Sequence, residues 1–232
     1  MSWKSNDYIG MIKFFQSDKE FYLDKLLSGL IHCQTPEVYR ISDMEGVSDR
    51  FESCIHSYRH DRNDDDVKIT IKKHSSGEEI EITDVLSLTL YQSEQKDSWL
   101  SCWMSLRIPE DEEELENLKD DITRMKANFG NSFVFLPVNN VGEFFKRIEK
   151  STTEKFTHCE VVYDGDRNNW GSFCKSLDYS YQREYRLSFG ECSSLEKEPY
   201  MFSCPEGFSD IMYKNPKIKL ESKDRSRVWL EI

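Results

Sequence analysis

The sequence predicts an α+β fold: a single domain, residues 1–232, with a largely antiparallel sheet and flanking helices. Three observations predict it. Helical and two-residue periodicities are interspersed along the chain, and no regular βαβ alternation is present. A hairpin pattern, VKITIKK then HSSGE then EIEIT, stands in the first half. The chain also carries a core: aromatic residues make up 13% of 232 residues, where a disordered chain would be poor in them. At this length a domain buries about 70% of its unfolded surface without disulfide or metal staples.

The elements follow in order. Tyr8 to Phe15 reads as a strand. Asp18 is placed to cap a helix carrying Phe21, Tyr22, Leu26 and Leu30, and Gly29 stops it. Leu30 to Gln34 is a second strand, and Pro36 to Gly46 reads as irregular. Ser48 is placed to cap a short helix with Phe51, Cys54, Ile55 and Tyr58 on one face. The run Asp61 to Asp66 is a solvated turn before the hairpin, and VLSLTLY and WLSCWMSL are further strands. Pro109 and the acidic run EDEEELENLKDD open a helix to about Asn128; early acids and later Lys119, Arg124 and Lys126 suit its dipole. SFVFLP is a buried strand, Val141 to Lys150 an amphipathic helix, Phe156 to Tyr163 a strand and GDRNNWG a turn. Glu184 to Gly190 and Val228 to Ile232 complete the strands.

Charge and cysteine usage narrow the function. A net charge of −12 repels phosphates at long range and excludes a general nucleic-acid coat protein. It leaves open an enzyme that takes one nucleotide into a pocket. The seven cysteines are widely spaced with no CxxC, and the five histidines form no metal-ligand pattern, so no metal site is expected. The start, MSWKSNDYIGMIKFF, has no apolar signal core, and no run approaches a membrane span. A cytoplasmic protein with no membrane partner is the expectation.

The segment YQREYRLSF, Tyr181 to Phe189, holds the candidate chemistry. Gln182 and Glu184 lie two apart, so on a strand they would share a face, with Leu187 and Phe189 continuing it. A carboxylate there can stabilise an oxocarbenium-like sugar, the charge formed as a glycosidic bond breaks. An amide beside it can orient an amide or nucleobase nitrogen. The bland alternative is the polar face of an edge strand. A second Gln-x-Glu, Gln92 and Glu94, sits in the polar turn QSEQKDS, so context and not the tripeptide favours the later copy. Lys13 is the lone charge of its strand, fit to face solvent or to grip a phosphate or ribose. Ser101 and Ser105 flank Cys102, Trp103 and Met104, and Lys175 precedes the candidate segment.

These segments together resemble the ADP-ribosyltransferase family. In that family a basic residue on the first strand holds NAD and a helix ends in Gly-Leu or Gly-Ile. A middle strand with Ser or Tyr supports the nicotinamide, and a late strand carries the catalytic Glu as Gln-x-Glu or Glu-x-Glu. Here the matching segments are MIKFF, FYLDKLLSGL, WLSCWMSL and YQREYRL. The chain is also similar to uncharacterised bacterial proteins encoded near phage-defence genes. Those carry an early Lys-Tyr, a Phe-Asn-Asp-Pro-Phe-Glu phrase, a Met-Trp segment, and a late Lys before Tyr-x-x-Glu-x-Glu-x-Arg. Lys13-Phe14, GVSDRFE, Trp103-Met104, and Lys175 with YSYQREYR correspond.

The resemblance implies a split antiparallel sheet and NAD as substrate. It implies Glu184 as the catalytic carboxylate and Gln182 as the residue that orients the acceptor. Lys13, Phe14, Ser101, Trp103, Ser105, Lys175, Tyr181 and Arg186 would bind NAD. Gln-x-Glu goes with nucleobase or Asn acceptors, so RNA, foremost mRNA, or DNA would be modified. A toxin of this kind implies an antitoxin protein, and in toxin–antitoxin–chaperone systems a chaperone. Two other functions remain open: an NAD glycohydrolase in the same cleft, and a non-enzymatic sensor or adaptor whose acids, Asp64 to Asp66 for example, bind a basic partner.

Overall fold

The computed structural model describes residues 7–65, 67–222 and 226–232. The fold is α+β and its sheets are mainly antiparallel. In chain order the elements are β1 (Tyr8–Phe15), α1 (Glu20–Leu27), β2 (Leu30–Cys33), α2 (Pro36–Arg40), β3 (His56–Arg59), β4 (Ile69–Lys72), β5 (Glu79–Ile82), β6 (Ser87–Leu90) and β7 (Asp97–Arg107). Then come α3 (Glu112–Phe129), β8 (Ser132–Pro137), α4 (Val138–Ser151), β9 (Phe156–Glu160), β10 (Val162–Asp164) and β11 (Cys174–Ser176). The chain closes with β12 (Glu184–Cys192), β13 (Tyr200–Ser203), β14 (Tyr213–Lys214), β15 (Lys219–Glu221) and β16 (Val228–Glu231). No helix of the described residues is long and apolar enough to cross a membrane.

The central sheet has the order β14-β8-β1-β7-β12-β9, and every neighbouring pair is antiparallel. Strand alternation divides its side chains between two layers. Met11, Trp103, Val134, Leu136, Tyr185, Leu187 and Phe189 meet α1 and α4 on one face. Ile12, Phe14, Met104, Leu106 and Phe133 meet α3 on the other. Both long helices are built for this. Val141, Phe144, Phe145 and Ile148 of α4, and Leu115, Leu118, Ile122 and Met125 of α3, recur three or four apart and are buried. Asp111 caps α3: its carboxylate accepts the Glu114 N–H at 2.8 Å, and three acids occupy the first turn.

Several expectations are corrected. Asp18 does not cap α1; residues Ser17–Lys19 form a 3-10 turn, closed by the Lys19 N–H on the Gln16 carbonyl at 2.8 Å, and α1 follows it from Glu20, with Lys19 at the cap position. Gly29, at φ +105°, does end the helix. Pro36–Arg40 is helical, with Pro36 in the first turn where its missing N–H costs nothing. The expected helix after Ser48 is absent. Ser53 adopts the left-handed region, at φ +59°, and His56–Arg59 pairs with Ser87–Leu90 as a strand. Two buried arginines pin this segment down: Arg40 forks onto Asp97 at 2.7 Å through both terminal nitrogens, and Arg59 forks onto Glu37 at 2.8 and 2.6 Å. The expected strand Phe156 to Tyr163 breaks at Val161 into β9 and β10, and β10 pairs in parallel with β11.

Candidate active site

The ladder between β1 and β7 runs from Tyr8–Arg107 to Ile12–Met104 and ends there. Both strands continue beyond that point with other partners. Strand β1 goes on to Phe15 beside β8, and β7, antiparallel to it, runs back from Met104 to Asp97 on the same side of that point beside β12. Gln34, just past β2, bridges to Leu100 and closes the far side, with mutual backbone bonds of 2.8 and 2.7 Å. The sheet therefore parts, and a cavity of about 500 Å³ lies in the gap. That is within the range of small-molecule sites. Because the strands part, side chains of both sheet faces reach this one space.

Lys13 reaches across the gap. Its ammonium donates to Ser101 Oγ at 3.1 Å and to the Cys102 carbonyl at 3.0 Å, and lies 5.4 Å from the Trp103 ring centre. Burial lowers its pKa, and the neighbouring Cys102, Cys33 and Glu184 oppose that shift without cancelling it. The buried Trp103 indole N–H has no hydrogen-bond partner among the described residues.

Glu184 forms the opposite wall. Its Oε1 accepts from Arg186 Nε at 2.6 Å and its Oε2 from Lys175 Nζ at 3.4 Å, while its own N–H donates to Tyr163 Oη at 2.8 Å. Arg186 Nη1 also holds Glu52 Oε1 at 2.8 Å, and Lys175 Nζ lies 3.2 Å from Glu52 and 3.5 Å from Asp49. Burial alone would raise the Glu184 pKa. The charges of Arg186 and Lys175 and the Arg186 hydrogen bond outweigh it and bring it down to about 2. Lys175 shows the converse: burial disfavours its charge, but Glu52, Glu184 and Asp49 hold its pKa well above the ordinary value. The wall thus presents a carboxylate held ionised away from bulk water. Such a charge stabilises positive charge developing on a bound substrate far more than one in water does.

Comparison with known proteins gives no match to a protein family, a curated protein or a solved structure.

The residues singled out from sequence divide into two groups. Lys13, Phe14, Ser101, Trp103, Lys175, Gln182 and Glu184 line the cavity. Ser105, Tyr181 and Arg186 do not. Ser105 Oγ donates to the Arg183 carbonyl at 3.0 Å, behind the wall. Tyr181 packs in the α3 layer, accepts from Asn128 at 3.0 Å, and carries the Arg124 guanidinium over its ring. Arg186 is fully buried behind Glu184 and acts as its support. The strand alternation is corrected too. Gln182 ends a 3-10 turn, Leu177–Gln182, and Arg183 is left-handed at φ +42°, so the two-residue rule does not relate Gln182 to Glu184. They meet through Lys175, whose ammonium donates to Gln182 Oε1 at 3.2 Å. Gln182 Nε2 donates to the Gly46 carbonyl at 2.9 Å, tying a loop to the wall. From Glu184 the alternation continues through Arg186 and Ser188, while Leu187 and Phe189 enter the opposite core.

Asp49, Glu52 and Tyr163 join the site without being singled out by the sequence. The signal for the first two is the phrase GVSDRFE, which contains both acids, but a helical reading of that stretch hides them. Tyr163 has no local signal. Of the acidic run, Asp64 is paired with Arg50 at 3.1 Å and with Arg62, and Asp66 lies outside the described residues.

Proposed function

We propose that the chain is an ADP-ribosyltransferase-like toxin of antiphage defence. It acts in the cytoplasm, is neutralised by an antitoxin protein with a chaperone as a further partner, and transfers ADP-ribose from NAD to a nucleobase, foremost in mRNA. The observation that supports this reading is the meeting of Lys13, Ser101 and Glu184 around one cavity at the point where β1 and β7 part.

In this reading Lys13 and Ser101 hold the nicotinamide ribose and adjoining phosphate, and Trp103 forms the wall beside the ring. The bond between the nicotinamide nitrogen and the ribose C1′ breaks, and its electron pair leaves with nicotinamide. The Glu184 carboxylate faces the cationic ribose. A base nitrogen of the acceptor then bonds to C1′ and releases a proton to water. Arg186 and Lys175 keep Glu184 ionised and fixed, and Gln182 faces the acceptor.

The test is incubation with NAD labelled in its adenosine half, together with total RNA, DNA and protein. Label in nucleic acid, lost in a folded Glu184→Gln variant, is the expected result. Free nicotinamide with no labelled macromolecule would select the glycohydrolase reading. Absence of NAD turnover would select the adaptor reading.

A further inference from the structure

The cavity is bordered by α1, and basic and aromatic side chains stand along that border. Lys19, Tyr22, Lys25 and His32 line it. Phe21 and Tyr22 are 49% and 39% exposed, and their ring centres lie 4.0 Å apart. Lys25 Nζ sits 5.1 and 5.4 Å from the two ring centres. Neither Lys19 nor Lys25 has a carboxylate within ion-pair distance among the described residues, whereas the nearby Glu20 and Asp24 are both taken by Lys214, at 3.2 and 2.7 Å. In a chain of net charge −12, uncompensated lysines therefore gather at the cavity that also holds Glu184. Exposed aromatic faces beside them offer stacking that every base can use.

We infer that the Phe21–Tyr22 pair with Lys19 and Lys25 is a docking platform for the single-stranded nucleic acid that presents its base to the cavity. This rests on the proposed function for the identity of the acceptor. Tyr22 lines the cavity and Phe21 packs against Tyr22, both exposed, so a strand crossing there would stack on them, while Lys13, Ser101 and Glu184 line the same cavity, where NAD would sit. The lysines hold phosphates and the rings hold a neighbouring base.

The experiment uses the full chain and a fluorescein-labelled single-stranded RNA oligonucleotide of mixed sequence, with binding read by anisotropy over a salt series. Phe21→Ala combined with Tyr22→Ala is expected to weaken binding about tenfold or more, the effect of losing a stacked base. Lys19→Gln combined with Lys25→Gln is expected to lower the slope of log affinity against log salt by about 1.4, roughly 0.7 for each phosphate no longer neutralised. NAD binding is measured on the same variants, with circular dichroism as the folding control. Unchanged oligonucleotide affinity in both variants overturns the inference, as does failure of the wild-type chain to bind the oligonucleotide. A loss confined to NAD also overturns it. Wild-type NAD turnover, read separately, bears on the proposed function alone.

Discussion

Lys13 Nζ lies 3.1 Å from Ser101 Oγ, across the point where β1 and β7 part company. Lys13 has no carboxylate within ion-pair distance among the described residues, and burial disfavours its charge. It is the kind of group retained for a ligand and against stability.

Lys13→Met is therefore expected to act in opposite directions on the two properties. Removing a cation whose pKa is lowered by burial should raise the melting temperature by about 2–4 °C, the shift corresponding to ~1 kcal/mol at this size. NAD affinity, read by calorimetry, should fall about tenfold, as loss of a charge-assisted hydrogen bond implies. A variant less stable than wild type with unchanged NAD affinity would remove Lys13 from the site.

Glu184→Gln preserves shape and removes the charge. Turnover of NAD, followed by nicotinamide release, is expected to drop by about 10²–10³, the usual effect of deleting one transition-state electrostatic partner. Residual activity within tenfold of wild type would show that another group carries the chemistry.

The same carboxylate gives a pH dependence. Its folded pKa, about 2, lies below its ordinary value of 4.5, so its contribution to stability is complete above pH 4.5 and lost as the pH falls through 2. Urea unfolding of wild type and Glu184→Gln across pH 6 to about 2 should show the stability difference shrinking on acidification. A difference that stayed constant or grew would contradict the ion-paired state.

Arg186 holds Glu52 and Glu184 at once. Arg186→Met should cost about 3–5 kcal/mol in urea unfolding, because it leaves buried carboxylates without their main partner. Adding Glu52→Gln and Glu184→Gln to that variant should recover most of the loss, since removing a whole buried network is often close to neutral. Arg186→Lys should recover little, because one ammonium cannot reproduce a guanidinium fork.

Gly29 lies between α1 and β2, the two elements that border the cavity mouth. Its φ of +105° favours glycine, and an added Cβ would run into the Cys204 carbonyl oxygen. Gly29→Ala should destabilise by about 1–3 kcal/mol from backbone strain alone, with a further loss from the clash, read as a lower urea midpoint.

Much of the frame was legible in the residues themselves. Strands β1, β7, β8 and β12 announced themselves as short apolar runs buried on both faces of the sheet, and helices α3 and α4 by apolar residues three or four apart. Lys13 and Ser101 could be picked out as polar residues within apolar strands, and Glu184 and Lys175 by the Gln-x-Glu phrase and the lysine that precedes it. The stretch from Pro36 to Arg59 resisted. Its shape depends on Arg40 reaching Asp97 and Arg59 reaching Glu37, and partners so far apart leave no periodic trace.

The α+β class, the succession of the main strands along the chain and the strand that carries Glu184 follow from the residues alone, because apolar runs and helical apolar spacing are local properties of the chain. Only the tertiary structure decided that β1 and β7 separate after Ile12 and Met104, that Arg183 turns Gln182 off the strand, and that Asp49 and Glu52 converge on Lys175 and Arg186. Those outcomes depend on which charges find each other across long stretches of chain when taken out of water, and spacing along the sequence does not encode that choice.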